Sequence, residues 1–288
     1  MGIPGRRLIS CVAAVLGITL LSGCGSSGTS GVGNAVSQTA APKITTAADL
    51  AAAMSKATGP KNTAKVALTM EVESDGQHIT GTGAGLAQLK PLAFDTTMTM
   101  NVASTDGSGT ASGQLEFILA NNTLYLKPSG VFADGLQQLD ANVGNKPWIK
   151  IDQNGTDPVS QSFGSFLTFA QDENDPGYAL DKTKSAATLA STKQEQLDGQ
   201  STTHYTVTVD LKKYAASLSD TDPEKQSVNE DLQTGVNNQT VDIWVNSENL
   251  PLKLVVAEGK TGTVTATYAD WGAPASITAP PAAQVAIP

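Results

Sequence analysis

Two histidines, two cysteines and a scatter of carboxylates are the groups from which this 288-residue chain could build a reactive centre. His78 and His204 lie far apart and lack the close spacing that places two imidazoles on one metal ion. Each reads as a surface or edge residue. The pairs Asp172–Glu173 and Glu195–Asp198 have the residue types of a glycoside-cleaving dyad, but acidic surface loops explain them more simply. "GTGAG" at 81–85 resembles part of a phosphate-cradling loop, yet no Lys-Ser/Thr follows it and no strand-to-helix pattern surrounds it. A strand lightened to bend or to admit close packing is the better account. No Gly-x-Ser-x-Gly, His-Glu-x-x-His or Walker motif occurs, and no Gly-x-Gly-x-x-Gly run stands between a strand and a helix as a dinucleotide fingerprint requires. The chain therefore reads as a non-enzyme without cofactor or metal.

The cysteines have a different use. Arg6 and Arg7 give a basic start, and Leu8 to Leu21 is almost wholly apolar, the pattern of a secretory signal. At about 14 residues this stretch falls short of the roughly 20 that a membrane-crossing helix needs. Leu21-Ser22-Gly23-Cys24 then resembles a bacterial lipobox, whose cysteine receives a diacylglycerol thioether and becomes the mature N-terminus. Residues 1–23 are expected to leave as the signal peptide, taking Cys11 with them. Cys24 is expected to be the lipidation site. General secretion is favoured over the twin-arginine route, because little beyond the two arginines supports the latter. The mature chain would hold no free thiol and no disulfide, which removes thiol catalysis, zinc–thiolate sites and redox exchange.

Charge narrows the partners. The whole chain carries −9, and because residues 1–23 contain two arginines and no acid, the remainder carries −11. Nucleic acid is a poor partner for such a surface. Anionic headgroups would also repel it, so attachment to the membrane should rest on acyl chains. Residues 24–42, rich in Gly, Ser, Thr and Ala, suit a flexible tether. Residues 43–288 are long enough to form one domain with a single large core.

Within that domain, "TTAADLAAAMSKATGP" predicts a helix capped by Thr45 or Thr46, with Leu50, Ala53, Met54 and Ala57 on one face and Gly59-Pro60 as its stop. The period then changes to two. Val66, Leu68, Met70 and Val72 alternate with polar residues, as do Phe94, Met98, Met100 and Val102. Further strands are predicted at "QLEFILA", "TLYLKP", "PWIKID", "HYTVTVDL", "TVDIWVN", "LKLVVAE", "TVTATYADW" and around Ile79 to Leu89, roughly ten in all. "NNT" at 121–123 and "NSENLP" at 246–251 are the clearest turns. An Asp-Pro-initiated helix at 158–170 carries an apolar stripe of Val159, Phe163, Phe166, Leu167 and Ala170. Another helix is predicted at 221–236, and a weaker one at 132–143. The expected fold is α+β: a large curved antiparallel sheet, or half-barrel, with helices covering its concave face.

Such an architecture would set Phe163, Phe166 and Leu167 against Val66, Leu68, Met70, Phe94, Met98 and Met100. Methionine fills irregular space and adapts to varied partners. Periodicity leaves open whether these side chains line a cavity or simply fill a core.

The ordered run "KPWIKI", "DPVSQSFGSFLTFA", "LDGQSTTHYTVTVDL", "VDIWVNSENLPLKLVV" and "TVTATYADWGAPASITAPPA" resembles the actinobacterial (mycobacterial-type) LppX/LprAFG lipoprotein family. The resemblance, with the lipobox, spans almost the whole mature chain. It implies an antiparallel half-barrel whose hydrophobic cavity accepts acyl chains. It also implies a carrier of lipid or glycolipid, anchored on the extracytoplasmic face of the cell membrane, in some cases working with a membrane transporter. The alternative is an envelope protein–protein interaction or sensor module without lipid cargo.

Overall fold

The computed structural model describes residues 43–287, apart from 75, 106, 108, 140–144, 153–154, 161–184, 221 and 259–261. Helix α1 (Ala47–Lys61) leads into strands β1 (Thr63–Ser74), β2 (Gln77–Gln88), β3 (Ala93–Ser104), β4 (Thr110–Ala120) and β5 (Thr123–Gly130). Helix α2 (Val131–Leu139) and strand β6 (Trp148–Ile151) follow. The second half comprises β7 (Ala187–Leu197), β8 (Gln200–Asp210), α3 (Leu211–Ser217), α4 (Pro223–Gln233), β9 (Asn238–Val245), β10 (Pro251–Glu258) and β11 (Gly262–Ala269). A short β12 (Val285–Ala286) closes the chain.

The strands form one open sheet in the order β12-β6-β5-β4-β3-β2-β1-β11-β10-β9-β8-β7. β12 and β7 are its two edges, and the fold is α+β. Within β1–β6 and within β7–β11 consecutive strands pair antiparallel, and the two halves join at the centre where β1 pairs antiparallel with β11. β12 alone runs parallel to its neighbour, with Val285 opposite Trp148. The polar/apolar alternation divides the sheet as the sequence predicts. Val66, Leu68, Met70 and Val72 are buried, whereas Lys65, Thr69, Glu71 and Glu73 are exposed.

Local chemistry fixes the turns. Asn121 and Asn122 both adopt positive φ (52° and 59°), the left-handed conformation that a tight two-residue hairpin demands. Between β9 and β10, Asn246 accepts hydrogen bonds on its side-chain oxygen from the backbone N–H groups of Glu248 and Leu250. Such side-chain mimicry of a backbone turn is a property of Asn and Asp.

Thr46 caps α1 by accepting from Asp49 N, while the Asp49 carboxylate accepts from Thr46 N. These bonds, together with those from Thr45, hold the Asp49 carboxyl below the usual carboxylate range. The helix differs from expectation in two ways. Pro60 lies inside its last turn, and the stop comes from Asn62 in the left-handed conformation (φ 59°). The buried face is Leu50, Ala51, Met54, Ser55 and Thr58, rotated from the predicted one because two small polar side chains pack inward.

α3 and α4 pack on one another in a small cluster of their own, where Leu211, Ala215, Leu218 and Val228 meet Val209 at the end of β8. Asp210 caps α3 by accepting from Lys212 N and Lys213 N. On the outer face, the C-terminal segment lays Ile277 and Ala279 against Ile118, Ala120 and Trp148 before β12 covers the free edge of β6.

Candidate functional site

Strand β2 is the key to the inner face. Its inward positions Gly81, Gly83 and Gly85 stand opposite Met70, Leu68 and Val66 of β1 on one side. On the other they oppose Met100, Met98 and Thr96 of β3. A β-carbon placed on Gly81 would stand 2.7 Å from Met70 Cγ and 3.5 Å from Met100 Cγ. On Gly83 it would stand 2.9 Å from Met98 Cγ and 3.6 Å from Leu68 Cβ. Methionines from both flanking strands thus lie over the Gly81–Gly85 stretch of β2, whose inward positions carry no side chain, between the buried Ile79 and Ala87. The result is a floor of thioethers, flexible at three torsions each, set against bare backbone.

Val66, Leu68, Met70, Phe94, Met98 and Met100 all belong to one continuous apolar cluster, and none is more than 5% exposed. Leu50 and Met54 of α1 pack into the same cluster. So do Leu124, Leu126, Ile149 and Ile151 on one wing of the sheet, and Tyr205, Val207, Val241 and Ile243 on the other. The structure therefore unites the six strand positions read from the sequence.

Phe163, Phe166, Leu167 and Cys24 lie outside the described residues. The helix predicted from Pro158 is helical at residues 158–160. Asp157 accepts from Ser160 N at 2.7 Å, as a cap should, and Val159 is wholly buried in the main cluster.

A pocket of about 290 Å³ opens between α2 and the β5–β6 wing. Its floor includes Leu136 and Ile149, which are also members of the main apolar cluster. Gln137, Asn145 and Lys146 stand at its rim, and the Lys146 ammonium donates to the Val285 carbonyl at 3.0 Å. None of the six methionine-floor residues lines it. The residues that form this opening were not singled out from the sequence, because α2 and β6 meet only through tertiary folding.

Two inward tyrosines were likewise missed, although alternation alone places them: Tyr268 follows Val264 and Ala266 on β11, and Tyr205 precedes Val207 on β8. Burial pushes both hydroxyls above the usual tyrosine range, partly offset at Tyr205 by a hydrogen bond with Thr203.

The histidines stand apart from this face. His78 lies 3.7 Å from Glu71 and 3.8 Å from Glu73 on exposed strand positions. His204 is less exposed than the sequence implies, since β7 and β9 flank its strand. Its ring stacks on Trp244 at 4.0 Å and contacts Asp242 at 2.8 Å and Glu195 at 3.2 Å, while Trp244 Nε1 also donates to Glu195. Among the described residues, no group of three His, Cys, Asp or Glu side chains is arranged to hold a metal ion. Nor is any described helix long and apolar enough to cross a membrane.

No protein-family model matches the chain. An uncharacterised 31.2 kDa protein of Streptomyces griseus, encoded between rplA and rplJ, is 31% identical over 137 residues. That alignment spans 46% of this chain and 45% of the relative, so just under half of the relative's length is covered. The structure is similar to the crystal structure of the Mycobacterium tuberculosis lipoprotein LppX, with a TM-score of 0.39 and 15% identity, over 80% of this chain and 97% of that one. For LprF of Mycobacterium bovis the TM-score is 0.33 and the identity 16%, over 78% and 92%.

Proposed function

We propose that this chain is a lipid-anchored envelope lipoprotein of the LppX/LprAFG type that takes the acyl chains of a lipid or glycolipid against its inner face and carries them away from the cytoplasmic membrane. The observation behind this reading is the thioether floor: Met70, Met98 and Met100 spread over the glycines of β2. A rigid core is built most economically from branched aliphatic side chains, whereas unbranched methionines keep the freedom to move aside for a guest. Each methylene that a guest withdraws from water contributes about 0.8 kcal/mol, so even a partly accommodated chain is held usefully.

The pocket beside α2 borders the core, because Leu136 and Ile149 belong to both its lining and the apolar cluster, and it is where we place the entry of an acyl chain. Cys24 carries the acyl anchor, residues 24–42 form the tether, and the folded body stands on the extracytoplasmic side. A membrane transporter is the partner that would receive or deliver the cargo.

A second reading, an envelope interaction module without cargo, is favoured by the close burial of the same six residues. Paired substitutions on β3 separate the two. Met98→Gln places an amide on the inner face and is expected to lower lipid occupancy several-fold, since an unpaired buried amide costs roughly 1–3 kcal/mol. Thr99→Gln, on the exposed face of the same strand, is expected to leave occupancy unchanged. Native mass spectrometry after delipidation and reloading reads both. Equal occupancy in the two variants would contradict the proposal.

A further inference from the structure

Tyr268 sits on the inner face of β11, directly opposite Val66 in the register. It is 5% exposed and packed within the main apolar cluster, its ring stacked against Trp271 at a centroid distance of 5.7 Å. Its hydroxyl is fully buried and has no hydrogen-bond partner among the described residues. Trp271 is provided for differently, since its indole N–H donates to the Pro251 carbonyl at 2.8 Å. A phenylalanine would fill the same volume without stranding a polar atom, and a stranded hydroxyl is a standing cost. Burial holds the group protonated, well above the usual tyrosine range, so it remains a donor.

We infer that the Tyr268 hydroxyl is a polar anchor for the cargo, donating a hydrogen bond to a carbonyl oxygen of an acyl ester bound against the inner face. This rests on the lipid-carrier reading and deepens it, because it makes ester-linked chains the favoured class. An ester carbonyl is the acceptor on an acyl lipid that reaches furthest into an apolar interior. A site built to bond such a group discriminates against an analogue lacking it, because the protein's own donor is then left unpaired. An ether-linked chain has the same length and shape but no carbonyl.

The test uses the full chain, delipidated, with dioctanoyl phosphatidylcholine and its dioctyl ether analogue, each below its micelle-forming concentration. Binding is measured by titration calorimetry for the wild type and Tyr268→Phe. The wild type is expected to prefer the ester by roughly five- to tenfold, the range of one hydrogen bond. Tyr268→Phe is expected to erase that preference while binding the ether as the wild type does, and to melt at an equal or higher temperature. A wild type that binds both lipids equally, or a variant that keeps the preference, would overturn the anchor and leave the carrier reading standing. A clear fall in the variant's melting temperature would also overturn it, by revealing that the hydroxyl is bonded within the protein. Failure of the wild type to bind either lipid would remove the carrier reading, and the anchor with it.

Discussion

Cys24→Ala is expected to transfer the protein almost completely from the membrane fraction to the soluble or secreted fraction, or to leave it unprocessed with its signal attached. The size of the effect follows from what remains without the cysteine. A mature chain of charge −11 gains nothing from anionic headgroups. No described helix can cross the bilayer. Two acyl chains on Cys24 would contribute about 0.8 kcal/mol per buried methylene, whereas a single shorter chain gives only marginal, reversible binding. Cell fractionation with intact-mass measurement of the N-terminus reads the result. Unchanged membrane attachment of a variant that has lost residues 1–23 would refute Cys24 as the anchor.

Gly85→Ala is expected to be among the most damaging single methyl additions in the sheet. A β-carbon at this position would stand 2.0 Å from the Asp95 carbonyl oxygen and 2.7 Å from Thr96 Cα, both backbone atoms of β3. At Gly83 the obstacle includes the movable Met98 side chain; at Gly85 the backbone itself must shift. Overpacking of this kind costs about 3 kcal/mol or more, which for a domain of this size lowers the melting temperature by roughly 6–12 °C. Thermal unfolding followed by circular dichroism checks it. Gly107→Ala is a poor control because φ is +75° there, whereas Gly59→Ala meets open space in α1 and is expected to be neutral or mildly stabilising. A Gly85→Ala protein as stable as Gly59→Ala would mean that β2 and β3 do not approach as described.

The same glycines illustrate how far the sequence could be read. "GTGAG" was legible as a strand thinned for close approach, and the alternation of β1 and β3 placed their methionines on the buried side. That the two sets meet over β2 required the register, which joins Met70, Gly81 and Met100 in one row across three strands. β7 escaped notice because "ATLASTKQEQL" is polar and mostly exposed along its length, as befits an edge strand with no apolar face to announce it. α3 carries no sequence signal of its own, since the seven residues from Leu211 to Ser217 are too few for a helical period to declare itself. β12 has two residues and exists only because the C-terminal segment returns to the edge of β6.

Sequence also left the interior undecided between guest and core, for a physical reason. An inward-facing methionine looks the same in both, and the distinction lies in how much of its contact surface is supplied by the protein's own atoms. The expectation that Cys24 is lipidated rests, by contrast, on local sequence alone, because export and lipidation signals do not wait on folding.

Carriage of lipid by this chain turns on whether acyl chains occupy the inner face. The most direct measurement is native mass spectrometry, with lipid extraction, of residues 43–288 produced in an actinobacterial host. Lipid is expected to co-purify at near one per protein, with its chains displaced in Met98→Gln. A clean apo mass that persists when membrane lipids are offered would contradict lipid carriage and leave an envelope interaction module in its place.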